Sequence, residues 1–120
     1  MQPTVFADVS PQMRIAQEEI FGPVLCVMAY RTVDEAIAIA NGTPYGLAAA
    51  VWGGDEASAS EVGRRLRAGQ VDINGAPFNL DAPFGDFGQS GIGRENGKYG
   101  VGEFIELRSL QMPMATGVAA

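Results

Sequence analysis

The feature that most constrains the fold is an alternation of short apolar runs with polar, capped segments. Residues 24–30 are apolar at nearly every position, which is the pattern expected of a strand covered on both faces. Residues 47–52 would suit a helix by their alanine content, but the run is short and ends at Gly53 and Gly54, which favours a second buried strand. Residues 71–73 begin a third strand.

Two helices are predicted to connect these strands. Thr32 caps the first helix, Glu35 completes a capping box, and the helix stops near Asn41. Asp55 caps the second helix, which runs to about Ala68. Strand, helix, strand, helix, strand at this spacing predicts an α/β fold with a partial parallel sheet and flanking helices.

A long loop rich in Gly, Pro, Asn and Phe follows the third strand, from residue 74 to residue 96. Loops longer than ~15 residues without secondary structure are usually functional or disordered. The aromatic residues Phe78, Phe84 and Phe87 favour a functional loop.

Both ends of the chain are predicted to add short elements. Residues 4–9 predict a short strand, because they are rich in β-branched and aromatic residues. Residues 98–104 predict a short helix, and residues 105–113 predict a half-exposed strand that can pair with another sheet edge or another subunit. We therefore divide the chain into a main unit at residues 1–104, the terminal strand, and a frayed tail at residues 114–120.

The turn before the first buried strand has the composition of a ligand-facing site. Pro23 fixes its own φ and disfavours helix at Gly22, so the backbone direction is over-determined here. Alternation along an extended segment would put Glu19 and Phe21 on one side. A carboxylate that accepts two hydroxyl hydrogen bonds, beside an aromatic ring, suits a ribose carrying a nicotinamide. The simpler alternative is a solvated Glu19 and a Phe21 in the core.

Composition narrows the classes of function. The net charge of -6 argues against a nucleic-acid or anionic-membrane surface. The absence of histidine removes the commonest metal ligand and the usual general base near neutral pH, so we assign no catalytic and no metal-binding residue. One cysteine forms no internal disulfide, and the first residues lack a signal-peptide pattern, so we expect a cytoplasmic protein.

Two side chains that often act as nucleophiles have structural interpretations. Ser90 lies in the sequence Gly88-Gln89-Ser90-Gly91, which resembles a nucleophile elbow but lacks its final glycine and a histidine partner. We therefore assign Ser90 no catalytic role. Cys26 lies among apolar neighbours, where burial would hide the thiol.

Several motifs taken together resemble a known family. They are residues 18–24 (EEIFGPV), residues 41–47 (NGTPYGL), Gly69-Gln70-Val71 with Asn74, Pro83-Phe84-Gly85, and residues 90–95 (SGIGRE). They occur in the order seen in NAD(P)-dependent aldehyde dehydrogenases. The resemblance covers about residues 3–113 but corresponds to the C-terminal part of the catalytic domain plus the oligomerisation strand, so we expect a fragment.

The resemblance implies a cofactor and the residues that face it. Glu19 would bind the hydroxyls of the nicotinamide ribose, and Phe21 would pack against the nicotinamide of NAD or NADP. Gly22 and Pro23 would hold this turn without doing chemistry. We expect cofactor binding by this chain alone to be weak or absent.

The resemblance also implies an aldehyde substrate and an assembly. Phe84 and Phe78 match positions that line the aldehyde pocket in the family, and an apolar wall keeps water from competing. Asn74 would anchor the loop near the site. The terminal strand resembles the strand through which family members form homo-oligomers.

The family's chemistry depends on residues that this chain does not match. A cysteine thiolate attacks the aldehyde, hydride passes to NAD(P), and water activated by a glutamate hydrolyses the thioester to a carboxylic acid. The nucleophile and the general base lie before the matched region, so the chain alone is predicted to be inactive. Two alternatives stay open: a semialdehyde-oxidising or acyl-transferring relative, and a non-catalytic module that acts in oligomerisation or partner binding.

Two positions depart from the family's pattern. Family members commonly have Gly-Gly-x-Lys after Pro-Phe, whereas this chain has Asp86 at the second glycine and Gly88 at the lysine. We expect these changes to alter the anchoring of the loop and to make the region more acidic.

Overall fold

The chain alternates strands and helices from its N-terminus. A computed structural model describes residues 2–85 and 87–113. Its elements are β1 (Thr4–Phe6), α1 (Arg14–Gln17), β2 (Val24–Cys26), α2 (Val33–Ala40), β3 (Ala48–Val51), α3 (Glu56–Gly63), β4 (Gln70–Ile73), β5 (Phe84–Gly85), β6 (Arg94–Glu95) and α4 (Gly97–Gly100). Single turns of 3₁₀ helix occur at Gly88–Ser90 and Val101–Phe104.

The strands form pairs within the described part of the chain. β1 lies parallel to β2 with Thr4 opposite Val24, and β3 lies parallel to β4 with Ala48 opposite Gln70. β5 and β6 are antiparallel. The predicted α/β fold with parallel strands and flanking helices is confirmed. The pairs remain three separate two-stranded sheets rather than one continuous sheet, because β2 does not pair with β3.

The run at residues 24–30 is less covered than its sequence predicts. Only Val24–Cys26 lies in a ladder, although two bonds continue the pairing: Val27 N–H donates to Phe6 and Val9 N–H donates to Val27. Leu25 is 60% exposed. The prediction of a strand covered on both faces is therefore wrong for this chain by itself, because no described element packs over the outer face.

Both predicted helix caps are present. The Thr32 hydroxyl accepts a hydrogen bond from Glu35 N–H at 3.1 Å, and the Glu35 carboxylate accepts one from Arg31 N–H at 2.7 Å. The Asp55 carboxylate accepts one from Ser58 N–H at 2.9 Å. α3 ends at Gly63 rather than near Ala68, since the next residues turn more tightly through bonds such as Arg65 N–H to the Val62 carbonyl.

Little of the apolar surface is buried. Among the described residues, the buried hydrophobic side chains are Val9, Ile37 and Ala59. The accessible surface is 9786 Å², against about 6,200 Å² for a compact monomer of this mass. The radius of gyration is 21.5 Å, against about 14 Å for a compact chain of this length. These elements therefore expose surface that a folded domain normally covers.

The terminal segment at residues 105–113 lies apart from these sheets. It has no helix or strand assigned, and its apolar side chains are exposed, with Leu107 at 90% and Leu110 at 79%. A strand forms only by pairing with another strand, and residues 105–113 have no such partner in the described part of the chain. The predicted oligomerisation strand therefore stays a prediction.

The predicted frayed tail, residues 114–120, lies outside the described residues. No helix in the described part of the chain has the length and apolar character that a membrane crossing requires.

Candidate functional site

The turn between α1 and β2 is held in a defined shape. Phe21 has a φ of +53°, Val24 N–H donates to the Gly22 carbonyl at 2.7 Å, and Thr4 N–H donates to the Pro23 carbonyl at 2.9 Å. The corner is thus fixed to β1. The Phe21 ring is 92% exposed, so the alternative of a Phe21 in the core is wrong for this chain.

Glu19 and Phe21 reach the same cavity by a different route from the predicted one. A left-handed residue is not part of an extended segment, so the alternation argument fails at Phe21. The turn nevertheless brings both side chains to the rim of a cavity of about 560 Å³, which Ile15 and Cys26 also line. Cys26 is half-buried, and its Sγ lies 3.5 Å from the Ile15 carbonyl oxygen.

Two adjacent carboxylates differ in their partners. Arg14 donates to both oxygens of Glu18, from Nε at 2.8 Å and from Nη2 at 2.7 Å. These hydrogen bonds hold the pKa of the Glu18 carboxyl below its ordinary value. Within the described residues Glu19 has no hydrogen bond and no ion pair. Of the two, Glu19 is therefore the carboxylate available to a ligand.

Glu19 also borders a second cavity, of about 500 Å³, between the loops that precede β2, β3 and β4. Asn41, Tyr45, Arg67 and Ser90 line its other sides. Its lining combines a carboxylate, a guanidinium, an amide and hydroxyls, which suits a polar ligand.

Asn41 closes one side of this second cavity. Its amide Nδ2 donates to the Arg65 carbonyl at 2.9 Å, and its Oδ1 accepts from Arg67 N–H at 2.7 Å. The Arg65 guanidinium also pairs with Asp34 of α2 at 2.6 Å. Sequence reasoning treated Asn41 only as a helix stop. Asn41 begins the family motif at residues 41–47, which indicated a role beyond ending the helix. The sequence does not show which backbone groups the Asn41 amide contacts.

The predicted aromatic wall is partly assembled. The rings of Phe78 and Phe84 meet edge to face, with centroids 5.6 Å apart and an interplanar angle of 70°. Phe84 also lines a cavity of about 250 Å³ with Glu103 and Phe104. This cavity differs from the two that Glu19 borders, so the described residues bring together the members of each group but not the two groups.

Asn74 lies where β4 ends. It has a φ of +50°, its N–H donates to the Val51 carbonyl at 2.8 Å, and its Oδ1 accepts from Gly53 N–H at 2.8 Å. These bonds join the carboxyl ends of β3 and β4 at the start of the long loop. The role of Asn74 near a reacting site stays a prediction.

The structure describes one of the two positions that depart from the family's pattern. Asp86 lies outside the described residues. Gly88 has a φ of +61°, and a Cβ at this position would collide with the Pro44 carbonyl oxygen, so this backbone has no room for a lysine side chain. Across residues 2–85 and 87–113, no three His, Cys, Asp or Glu side chains come together as a metal site requires.

Comparisons with known proteins agree on one family. The sequence profile described as "Aldehyde dehydrogenase family" matches residues 1–110. A curated relative from Staphylococcus aureus (strain USA300), whose name assigns it provisionally to the aldehyde dehydrogenases, is 53% identical over 109 residues, and the match covers 91% of this chain. The chain spans 23% of that relative's length.

Solved structures give the same result. An aldehyde dehydrogenase from Mycobacterium tuberculosis in complex with NAD+ is 49% identical with a TM-score of 0.87, and the match covers 98% of this chain and 24% of that one. A variant of aldehyde dehydrogenase C from Pseudomonas syringae, in complex with NAD+ and octanal, is 57% identical with a TM-score of 0.83, over 87% of this chain and 21% of that one. The chain belongs to the aldehyde dehydrogenase family.

Proposed function

We propose that this chain supplies the nicotinamide-ribose turn and part of the aldehyde-site wall of an enzyme that oxidises an aldehyde to a carboxylic acid with NAD or NADP. The nucleophilic cysteine and the general base of that reaction belong to segments that these 120 residues do not match. One observation carries the proposal. Arg14 forms a hydrogen-bonded ion pair with Glu18. Glu19 has no partner among the described residues and lines the same cavity as the exposed ring of Phe21.

The exposed turn suits one end of the cofactor. The Glu19 carboxylate accepts hydrogen bonds, and the two hydroxyls of a ribose donate them. The Phe21 ring offers an apolar face to a flat heterocycle, and burying it against one removes that surface from water. When bound, the nicotinamide ring accepts hydride from the substrate.

The aromatic wall suits the other reactant. Phe78 and Phe84 pack edge to face, so each limits the movement of the other. An apolar surface of this kind favours a hydrophobic aldehyde and excludes water from the reacting carbon. We assign these two residues to the substrate pocket, and Gly22, Pro23 and Asn74 to the support of the site.

A composite enzyme tests the proposal. In a single polypeptide, residues 2–113 of this chain replace the matched segment of the Pseudomonas syringae enzyme in its unsubstituted form; the variant of that enzyme is 57% identical to this chain. We expect NAD-dependent oxidation of octanal, measured as NADH absorbance. We expect the Glu19→Gln variant to lose roughly tenfold to hundredfold in kcat/KM, because a charged acceptor for the ribose hydroxyls is lost.

Glu18→Gln is the matched control, because it changes the neighbouring carboxylate whose partner is Arg14. We expect its kcat/KM to stay within about twofold of wild type, since an exposed ion pair contributes little. The proposal is wrong if the two variants behave alike, or if the composite enzyme does not oxidise aldehydes.

We also propose that residues 105–113 pair with a sheet edge in a second copy of the protein. The exposure of Leu107 and Leu110 in an unpaired segment supports this assignment, as does the large accessible surface of the chain. The same surface also favours a non-catalytic role in partner binding, which catalysis by the composite enzyme would argue against.

We propose a cytoplasmic location, supported by the free thiol of Cys26.

A further inference from the structure

We infer that Ser90 is a positioning residue for aldehyde selectivity, because its hydroxyl fastens the loop that carries Phe84 to the turn before β3. This inference rests on the proposed function. It assigns a role to a serine whose sequence motif resembles a nucleophile elbow but lacks the final glycine and a histidine partner.

Three hydrogen bonds join residues 44–46 to residues 87–90, and we call this contact the clasp. Gly46 N–H donates to the Ser90 hydroxyl at 3.0 Å, Gln89 N–H donates to the Pro44 carbonyl at 2.8 Å, and Phe87 N–H donates to the Gly46 carbonyl at 3.1 Å. Ser90 is half-buried and Gly46 is buried. Of the three bonds, the one to Ser90 is the only bond that a side chain makes.

The clasp brings two backbone segments close together. A Cβ on Gly46 would lie 2.6 Å from the Arg67 carbonyl oxygen and 2.8 Å from the Phe87 Cβ. The Gly46 carbonyl also accepts from Gly69 N–H at 2.9 Å, at the start of β4. Gly46 is buried, and the Ser90 hydroxyl satisfies its N–H group, which would otherwise lose a hydrogen-bond partner.

Contacts made by Arg94 connect the clasp to the aromatic wall formed by Phe78 and Phe84. β5 and β6 are antiparallel, with Phe84 opposite Glu95 and Gly85 opposite Arg94. The Arg94 guanidinium lies over the Phe87 ring, 5.3 Å from its centroid. A shift of Phe87 would therefore act through Arg94 on the β5–β6 pair, and so on the packing of Phe84 against Phe78.

The clasp also borders the side of the site that faces the cofactor. Ser90 and Glu19 line the same cavity of about 500 Å³. Ser90 thus lines a cavity with Glu19 of the turn between α1 and β2, and it lies in the same loop as Phe84 of the aldehyde wall. Glu19 belongs to the α1–β2 turn, which the clasp does not include, so loss of the Ser90 hydroxyl should disturb the aldehyde side selectively.

The test compares Ser90→Ala and Ser90→Thr in the composite enzyme, with octanal and with propanal as substrates. We expect Ser90→Ala to raise KM for octanal about tenfold, because small displacements of positioning groups cost up to ~100-fold. We expect KM for NAD and for propanal to change less than about twofold, since propanal is too short to depend on the full wall. Ser90→Thr keeps the hydroxyl and should restore most of the octanal affinity.

Each outcome separates the two proposals. An active composite enzyme whose octanal-to-propanal selectivity is unchanged by Ser90→Ala overturns the role of Ser90 alone. Equal losses for octanal, propanal and NAD, with a lower melting temperature, also overturn it, because they indicate a merely structural residue. Ser10→Ala, at a serine whose hydroxyl donates a hydrogen bond to Gln12 and which lies outside the clasp and the terminal segment, is the control and should change none of these values. If the composite enzyme with Ser90 intact oxidises neither aldehyde, the proposed function fails, and the role of Ser90 fails with it.

Discussion

Glycine at position 69 is required by a contact between two backbones. A Cβ there would collide with the Gly85 carbonyl oxygen and would lie 3.3 Å from the Leu47 carbonyl oxygen. The start of β4 therefore lies directly against β5, which is part of the long loop at residues 74–96. A methyl group at position 69 would therefore prevent β5 from packing this closely against the start of β4.

We predict that Gly69→Ala lowers the free energy of unfolding by about 1–3 kcal/mol, the usual cost of forcing extra volume into a packed site. Urea denaturation followed by far-UV circular dichroism measures this change. Gly54→Ala is the matched control, because a methyl group at that position would have no atom within 4 Å. A loss of the same size in both variants would contradict the argument, since it would show a general glycine effect.

At the scale of elements, the two longest helices begin with caps that their own sequence supplies. The Thr32 hydroxyl and the Asp55 carboxylate each bond the N–H three residues later. The Asp55 bond to Ser58 N–H lowers the pKa of this carboxyl below its ordinary value of 3.8. The cap is therefore strongest when Asp55 is ionised.

This lowered pKa predicts how the stability of α3 depends on pH. Because the folded pKa lies below the unfolded one, the contribution of Asp55 is fully present above the unfolded value and is lost as pH falls through the folded value. We expect the melting temperature to fall more steeply below about pH 4 for wild type than for Asp55→Asn. Asparagine caps the helix without titrating, so identical acid profiles for the two proteins would refute the assignment.

At the scale of the whole molecule, the chain exposes more surface than its mass explains. The difference between 9786 Å² and the roughly 6,200 Å² of a compact monomer exceeds what a typical protein–protein interface buries. The two parallel strand pairs have free edges, and the terminal segment carries exposed leucines. Among the described residues, these edges and side chains are therefore exposed and available for contact with other polypeptide.

We predict that the pure 120-residue chain self-associates and shows no aldehyde oxidation. Light scattering should give a mass above that of the 12.6 kDa monomer, because exposed edges and apolar patches pair with one another. Leu107→Lys should lower that mass if the terminal segment takes part, whereas Glu106→Lys, at its neighbour, should lower it less. A monodisperse monomer, or turnover by the pure chain, would contradict this prediction.

The family of the protein, its parallel strands and its two longest helices were predictable from the sequence, whereas α1 and the β5–β6 pair inside the predicted loop were not. Caps depend on bonds between residues three positions apart, so Thr32 and Asp55 could be identified without knowing the fold. The order of apolar runs and caps also predicted parallel strands joined by helices. The motif at residues 18–24 predicts Glu19 and Phe21 as ligand-facing residues, and this assignment stays a prediction.

Other features depended on where distant segments meet. The bond between Gly46 and Ser90 joins residues 44 positions apart, and the Asn41 amide meets backbone groups 24 and 26 positions away. No local pattern encodes such contacts, since they arise only after the helices and strands have packed. The Arg14–Glu18 pair, by contrast, is a contact between residues four positions apart, which the sequence itself can indicate. Only the tertiary structure decided that Glu19, the neighbouring carboxylate, has no partner among the described residues, because the fold determines which distant cations come near it.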